Sequence, residues 1–480
     1  MSGSFFLARL RLYCEAMDYR SFFEGKKVTQ MGLGLLGRGV GDAEFLAEMG
    51  AELVVTDLKN EEELKQSLER LKPYSNVTYH LGGHRLEDFK NRDFILKAAG
   101  VPLDSPFIAE ARKNGIPVYV SSALFAKLAP KGVTLIGMTG TRGKSTVTHM
   151  VYEVLRGAHE KSGTAVFLGG NVQGLSTLAL LSKIKPNDSV VLELDSWQLQ
   201  GFGDSKISPH VSIFTTFFDD HLNYYKNDRD LYLADKANAF KYQGKDDFLI
   251  LGEQVESLIR ERYSKEIKSK IIVARAVSLP KDLKLQIPGQ HNRDNAACAF
   301  EAAKALSIPE GEIKSGLENF KSVPGRLELV REVNGIKIYN DTTATTPEAT
   351  IAGLQALSSP QGSTLIGKKV EPLSRKIILI FGGSDKGLDM SKLAEEIPKY
   401  CKAVILLPGS GSLKFKTQNS KIKTEIQNVK SLEEAMDKAL SIATKGSTVL
   451  FSPAFASFGM FENEYDRGEQ FVKIVSVSKR

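Results

Sequence analysis

The chain has 480 residues, 42% hydrophobic and 25% charged, with a formal net charge of +7. That length exceeds one ordinary domain and calls for roughly two to four, and the hydrophobic share excludes a disordered chain. The small positive balance is spread along the chain, with no basic run interleaved with aromatics, which excludes a dedicated nucleic-acid binder. It reads as solvated surface lysines, with a mild attraction for polyanionic nucleotides as the alternative. No apolar stretch reaches membrane-spanning length. Cys14, Cys298 and Cys401 lack CxxC or metal spacing and are expected to stay thiols, which suits a cytoplasmic, reducing setting. Met1 to Arg20 carries Arg9, Arg11 and Glu15 without a long apolar core, so it is not a signal peptide; translation can also begin at Met17.

In chain order, strand and helix patterns alternate, the signature of parallel sheets covered by helices. From about Lys26 to Leu128, strand Lys27–Met31 leads into Gly32-Leu33-Gly34-Leu35-Leu36-Gly37, helix Gly41–Met49 and strand Glu52–Thr56, ending at Asp57. Weaker strands follow at Val77–Leu81, Phe94–Lys97 and Val118–Val120. A GxGxxG turn with an acid about twenty residues on fits a dinucleotide fingerprint. The turn equally suits a nucleotide diphosphate, with Asp57 on a ribose or base edge, or a plain tight turn.

The second segment starts near Lys131, with strands at Thr134–Thr139, Ala165–Leu168, Val190–Leu194, Val211–Phe217, Phe248–Leu251 and Ile271–Ala274. Helices read at Lys144–Leu155, Asp228–Lys241 and Asn292–Leu306. Between the first strand and helix stands Gly140-Thr141-Arg142-Gly143-Lys144-Ser145-Thr146. Glycines let backbone N–H groups approach phosphate oxygens, and the helix N-terminus adds its dipole. Lys144 can reach outer phosphates, and Ser145 or Thr146 can hold Mg²⁺. Met138 stands where the general NTPase pattern has a glycine, so the loop is a variant. Glu193 ends an apolar strand, where α/β proteins bind ligands, and suits Mg²⁺ together with phosphate oxygens. Asp219-Asp220-His221 follows another strand and can orient a metal or a charged substrate; a lone His is also commonly structural. Lys236 by itself reads as a solvated helix lysine. Asn292 and Asn295 lie three apart on one helix face, aimed at a base or phosphates, although Asn292 can simply cap the helix.

Ser322-Val323-Pro324-Gly325-Arg326 punctuates a change of module and reads as a hinge, from which Arg326 can swing onto a phosphoryl group. Beyond it, strands read at Ile336–Tyr339, Lys376–Phe381, Ala403–Leu407 and Thr448–Ser452, and helices at Thr346–Ala356, Ser391–Tyr400 and Leu432–Ala443. Residues Ser358 to Arg375 read as a long exposed loop. Asn340-Asp341-Thr342-Thr343-Ala344-Thr345, Gly382 to Gly387 with Lys386, and Ser452 to Ser457 all end strands, so they can face one cleft. The fold class is therefore α/β in three consecutive modules: residues 1–128 Rossmann-like, residues 129–325 a P-loop-type ATPase sheet, and residues 326–480 Rossmann-like. No internal sequence repeat is present.

With these motifs in order, the chain resembles the ATP-dependent Mur ligase family from about residue 26 to its C-terminus. GTRGKST looks like the family's ATP loop, LELDSWQL its catalytic-glutamate strand, DDHL its histidine segment, ADKANAF its lysine helix and GQHNRDNAA its nucleotide helix. GRLE, NDTTATTP, GGSDKG and SPAFASFGMFENEYDRG follow. The N-terminal GLGLLGRG and the ending SFGMF…DRG look most like the D-glutamate-adding member. The resemblance implies a ligase of peptidoglycan precursor synthesis. Its three small-molecule substrates would be ATP, UDP-N-acetylmuramoyl-L-alanine and D-glutamate, and it would act as a monomer without nucleic acid or membrane. A carboxylate attacks the ATP γ-phosphate, and the amine of D-glutamate then attacks the acyl phosphate. By the resemblance, Lys144 and Ser145 hold the phosphates and a first Mg²⁺ with Glu193. His221 and a carbamylated Lys236 hold a second Mg²⁺. Gly140 to Thr146, Asn292, Asn295, Arg326 and Asp341 bind ATP. Gly34, Leu35, Leu36, Asp57 and Asn171 meet the UDP-substrate. Thr345, Lys386, Ser457 and Phe461 hold D-glutamate.

The chain departs from the family pattern at four places. Arg142 replaces an asparagine and adds charge beside the phosphates. Thr343 stands where a lysine is usual. Ala98-Ala99-Gly100 lacks the serine of Ser-Pro-Gly, and Glu464 precedes the aromatic Tyr465. A Mur-family ligase for another amino acid, or a folylpolyglutamate- or poly-γ-glutamate-type ligase, is the alternative. A nicotinamide oxidoreductase leaves GTRGKST and GQHNRDN unexplained. Intact Lys144, Glu193, His221 and Lys236 argue against a silent nucleotide binder.

Overall fold

The computed structural model describes residues 19–35, 37–102, 104–160, 163–221, 223–358, 376–419 and 423–477. Leu36, Cys14, the N-terminal stretch through residue 18 and nearly all of the expected 358–375 loop lie outside the described residues.

The apolar runs build three sheets. The first is β1 (Lys27–Met31), β2 (Glu52–Asp57), β3 (Val77–Leu81), β4 (Phe94–Lys97) and β5 (Val118–Val120), in the order β3-β2-β1-β4-β5. All of its pairings are parallel. The second contains β6 (Thr134–Thr139), β7 (Val166–Gly170), β8 (Ser189–Glu193), β9 (Val211–Phe214), β10 (Phe248–Gly252) and β11 (Lys270–Ala274), in the order β11-β10-β9-β6-β8-β7. It is parallel throughout. The third joins β12 (Glu328–Val333), β13 (Ile336–Asn340), β14 (Ile377–Phe381), β15 (Cys401–Leu406), β16 (Glu425–Asn428) and β17 (Thr448–Phe451), in the order β12-β13-β17-β14-β15-β16. Only β12 runs antiparallel to its neighbour. Three α/β modules in series therefore agree with the expected fold class.

Two edge strands escaped the sequence pattern. β12 reads ELVREV and β16 reads EIQN, each half or more polar and partly exposed. An edge strand buries little, so its sequence carries no apolar run. Several helix bounds also move, two of them beside expected site residues. Arg38–Glu48 begins directly after the glycine turn, before the expected Gly41. The lysine helix is Arg229–Ala237, and Asp228 caps it through Asp230 and Leu231 N–H.

The chain divides into two compact units, one of residues 1–275 with 298–313, the other of 276–297 with 314–480. The first unit holds two sheets on a shared apolar core: Val28, Leu53 and Leu96 from the N-terminal sheet belong to one cluster with Val190, Leu192 and Leu199. Polar contacts tie the same junction. Ser121 and Ser176 both donate to Asp42 Oδ1, at 2.9 and 2.6 Å. In the second unit, Leu379, Phe381 and Leu406 form the core on one face of the sheet, and Ile378, Ile380 and Phe451 form it on the other. Cys298 and Cys401 are buried and form no disulfide. Among the described residues no helix is long and apolar enough to cross a membrane.

Candidate active site

The loop after β6 turns sharply at Gly140, whose φ is +141°. A Cβ there would lie 2.1 Å from Thr215 Oγ1 and 3.0 Å from Thr216 N, so only glycine lets the loop lie on the end of β9. Thr216 O accepts from Thr141 N–H at 2.7 Å, and Thr215 Oγ1 donates to Arg142 O at 2.5 Å. Gly143, left-handed at φ 86°, starts the helix Lys144–His159. An anion cradle at a helix N-terminus results.

Two amines converge on one carbonyl. Lys144 Nζ donates to Gly140 O at 2.9 Å and to Thr141 O at 3.2 Å. Lys236 Nζ donates to the same Gly140 O at 3.0 Å. The expectation that Lys236 is solvated fails: it is 1% exposed, with its amine 4.8 Å from the centroid of the Tyr232 ring. Burial, reinforced by the charge of Lys144, holds its amine well below the usual lysine range. An amphipathic helix pattern cannot reveal this, because it does not say what faces the buried side.

Glu193 ends β8 in register with Met138 of β6 and Gly170 of β7, and is buried. Its carbonyl accepts from Asn171 N–H at 2.7 Å. The Asn171 side-chain oxygen accepts from Arg38, an arginine that the sequence did not single out. His221 has a left-handed φ of 53° and sits between Trp197 and Tyr232, with ring centroids at 4.9 and 6.2 Å. Burial lowers its pKa despite the nearby Asp220. Arg142 forms an exposed ion pair with Asp220 at 3.5 Å.

In the N-terminal sheet, Asp57 is buried and its Oδ2 accepts from Leu33 N–H at 2.8 Å and Gly34 N–H at 3.2 Å; Oδ1 accepts from Lys59 N–H at 2.9 Å. The carboxylate thus shapes the glycine turn itself. Leu35 is exposed.

The second unit groups the other expected residues in pairs. Asn295 donates to the Asn292 side chain at 3.3 Å, and Asn292 donates to Pro288 O at 2.7 Å. Asn292 lies within the first turn of the helix Gln290–Ala305, so it is not the residue that caps it. Asp341 is buried, and accepts from Leu327 N–H at 3.1 Å and Ser452 Oγ at 2.8 Å. Burial pushes its carboxyl up to about 7. Arg326, beside Leu327, is exposed. Lys386 Nζ donates to Thr345 O and Oγ1, both at 3.4 Å. Ser457 is buried, and its carbonyl accepts from Phe461 N–H at 3.3 Å. Thr343, in the place of the family lysine, donates to Gly325 O at 3.0 Å.

The residue most clearly missed is Arg467, which is 1% exposed. It donates to Thr342 Oγ1 at 3.1 Å, Thr342 O at 2.8 Å and Phe455 O at 3.2 Å. It thereby joins the loop after β13 to the loop after β17. Its place in NEYDRG, the start of the helix Glu464–Val477, was the only signal.

The side chains here whose chemistry suits a cation are one carboxylate (Glu193, ending β8), one hydroxyl (Ser145, in the first turn of the helix Lys144–His159) and one imidazole (His221, after β9). Among the described residues no group of three or more His, Cys, Asp and Glu side chains could hold a metal alone. That chemistry fits Mg²⁺, which takes one or two protein ligands and completes its shell with phosphate and water oxygens.

A nucleotide-handling α/β enzyme with an amine-rich phosphate loop is the class these features define. Residues 26–120 match the model of the Mur ligase MurD-like N-terminal domain, 138–303 the Mur ligase middle domain, and 325–455 the Mur ligase glutamate ligase domain. The chain belongs to the Mur ligase family. It is 33% identical to the UDP-N-acetylmuramoylalanine–D-glutamate ligase of Roseiflexus sp. (strain RS-1), over 94% of this chain and 98% of that one. With the enzyme of the same name from Borreliella afzelii it shares 34% identity, over 93% and 97%. Among solved structures it is similar in fold to the UDP-N-acetylmuramate-alanine ligase MurC of Thermotoga maritima, with TM-score 0.60 at 21% identity, covering 95% of this chain and 100% of that one. It is also similar to a MurF ligase of the same organism in complex with ADP, with TM-score 0.55 at 16% identity and 95% coverage of each.

Proposed function

We propose that this chain is the D-glutamate-adding ligase of peptidoglycan precursor synthesis. It joins UDP-N-acetylmuramoyl-L-alanine to D-glutamate with ATP, acting as a cytoplasmic monomer. The observation that carries the reading is the convergence of Lys144 and Lys236 on Gly140 O beside the strand-end Glu193. Phosphoryl transfer needs alignment and charge neutralisation more than acid–base chemistry, and this cradle offers both. The relatives named above support the acceptor.

In this reading residues 26–120 take the UDP-substrate, with Gly34, Asp57 and Asn171 around it. The phosphate loop of residues 138–303 takes the ATP phosphates, and Asn292, Asn295, Arg326 and Asp341 are further ATP-binding residues by the chemistry of their side chains. Residues 325–455 hold the amino acid, Lys386 and Thr345 meeting its carboxylates, with Ser457 and Phe461, just beyond that span, as further contacts. Two Mg²⁺, when bound, would neutralise the phosphates and the developing negative charge. Ser145 and Glu193 would hold the first, and His221 with Lys236 the second. A lysine enters a cation site as a carbamate: its neutral amine adds to CO₂, a C–N bond forms, and one proton leaves to solvent. The loss of the ammonium form by burial favours that step, and the resulting anion would face Lys144.

The test is phosphate release from Mg²⁺·ATP with UDP-N-acetylmuramoyl-L-alanine against a panel of D- and L-amino acids. Release that requires D-glutamate is expected. Release with another amino acid would move the specificity to Thr343 and Glu464, and no release with any acceptor would refute the ligase reading.

A further inference from the structure

The chain has one tryptophan. Trp197 follows Glu193 by four residues, in the first turn of the helix Ser196–Ser205, whose N-cap Asp195 forms a reciprocal capping box with Gln198. The cap fixes where the helix starts, and so where the indole lies. One neighbour is His221, at 4.9 Å between centroids with the planes inclined 50°. Another is Tyr224, at 5.4 Å. On a further side is the loop after β4, where a Cβ on Gly100 would reach indole Cε3 and Cζ3 at 4.0 Å. That loop is itself held firmly: the buried Lys97 donates to Ala98 O at 3.4 Å, Ala99 O at 3.1 Å and Val101 O at 3.0 Å. The indole N–H is buried with no hydrogen-bond acceptor, so what places the ring is packing.

His221 needs such a support. Its backbone is in a left-handed conformation, which non-glycine residues rarely adopt. The segment after it turns at once, with Tyr224 and Tyr225 N–H donating to His221 O at 2.9 and 3.1 Å. The adjacent Asp219 and Asp220 are solvent-accessible and pair with Arg229 and Arg142. The imidazole packs against Trp197 and Tyr232, and its Nε2 lies 4.0 Å from Asp220 Oδ2, so the rings supply the apolar part of its support.

We infer that Trp197 is a positioning residue: together with Tyr232 and Asp220 it holds the His221 imidazole toward the phosphate cradle, while its own indole packs against the loop after β4 of the N-terminal sheet. The inference rests on the metal-binding role proposed for His221. Removing a side chain that orients a metal ligand typically weakens the metal about 10- to 100-fold. The planar ring should be largely replaceable by another aromatic, because aromatic packing and not the N–H sets the position.

Two measurements on the full chain test it. Calorimetric titration with Mg²⁺·ADP should give roughly tenfold weaker binding for W197A and near wild-type binding for W197F. With no metal or nucleotide present, the tryptophan emission of H221A should differ from that of the wild type, and UDP-N-acetylmuramoyl-L-alanine should change the wild-type emission. A W197A chain that melts normally and binds Mg²⁺·ADP like the wild type would overturn the assignment. Emission indifferent to H221A would overturn it too, even if W197A fails to fold. Emission indifferent to the UDP-substrate would remove the link to the loop. The H221A comparison uses no substrate, so its outcome is separate from failure of the ligase reading, which appears as absent phosphate release in the wild type.

Discussion

Replacing Arg467 with methionine probes the second unit most sharply. Methionine fills much of the volume of the arginine stem and removes the guanidinium. Three charge-assisted hydrogen bonds disappear, to Thr342 Oγ1, Thr342 O and Phe455 O, each contributing about 1.5–3 kcal/mol. Against this, the buried charge is itself unfavourable. Burial pulls the Arg467 pKa down to about 10 from 12.5, which corresponds to about 3 kcal/mol recovered on removal. The difference is a net loss of about 1.5–6 kcal/mol. For a unit of this size, that lowers the melting temperature by roughly 3–24 °C. Differential scanning calorimetry should show the loss in one transition and leave the other in place, because the arginine's bonds all lie in one unit. The Km for D-glutamate should rise, since both joined loops carry residues proposed to hold it. R467K should fall between wild type and R467M: an ammonium keeps the charge but cannot fork to three acceptors. A melting temperature for R467M within about 2 °C of wild type would refute the claim that this arginine ties the loops together.

Burial raises the Asp42 pKa to about 6 from 3.8, so the folded state prefers the neutral carboxyl. Stability from this group is therefore full below about pH 4, declines as pH rises toward 6, and stays low above. D42N keeps the oxygen that accepts from Ser121 and Ser176, so it should melt higher than wild type at pH 7.5 and equal to it near pH 4. D42N melting as low as D42A at pH 7.5 would contradict this. G140A puts a Cβ 2.1 Å from Thr215 Oγ1, and the strain of about 1–3 kcal/mol should weaken Mg²⁺·ADP binding roughly tenfold or more by calorimetry. K236A should lose phosphate release, with partial recovery in short carboxylic acids that mimic a carbamate; full activity would remove Lys236 from the cation site. R142N should change stability by less than about 1 kcal/mol, because its ion pair with Asp220 is exposed. It should raise the Km for ATP more at low than at high salt, as initial rates across ionic strengths will show.

Much of this protein was legible in its sequence where chemistry depends on neighbours along the chain. The phosphate loop Gly140–Thr146, the strand-end Glu193 and the buried strands all follow from short-range rules: glycine at a sharp turn, apolar runs in a covered sheet, an acid at a strand's carboxyl end. Beyond those rules, the edge strands β12 and β16 left no continuous apolar run, since an edge is half solvated. Lys236 looked like a surface lysine, because helical spacing does not say that its face lies against Gly140 and Tyr232. Asp57 carried a fingerprint for a ligand, but the hydrogen bonds its carboxylate also accepts from the glycine turn were not legible. Arg467, Trp197 and Asp42 touch residues distant in sequence, reached only once the sheets have formed, and no periodicity records such a contact. Local backbone chemistry, then, was set by residue order alone, whereas the pairing of charges and rings across elements was decided by packing, because burial and proximity are properties of the folded chain.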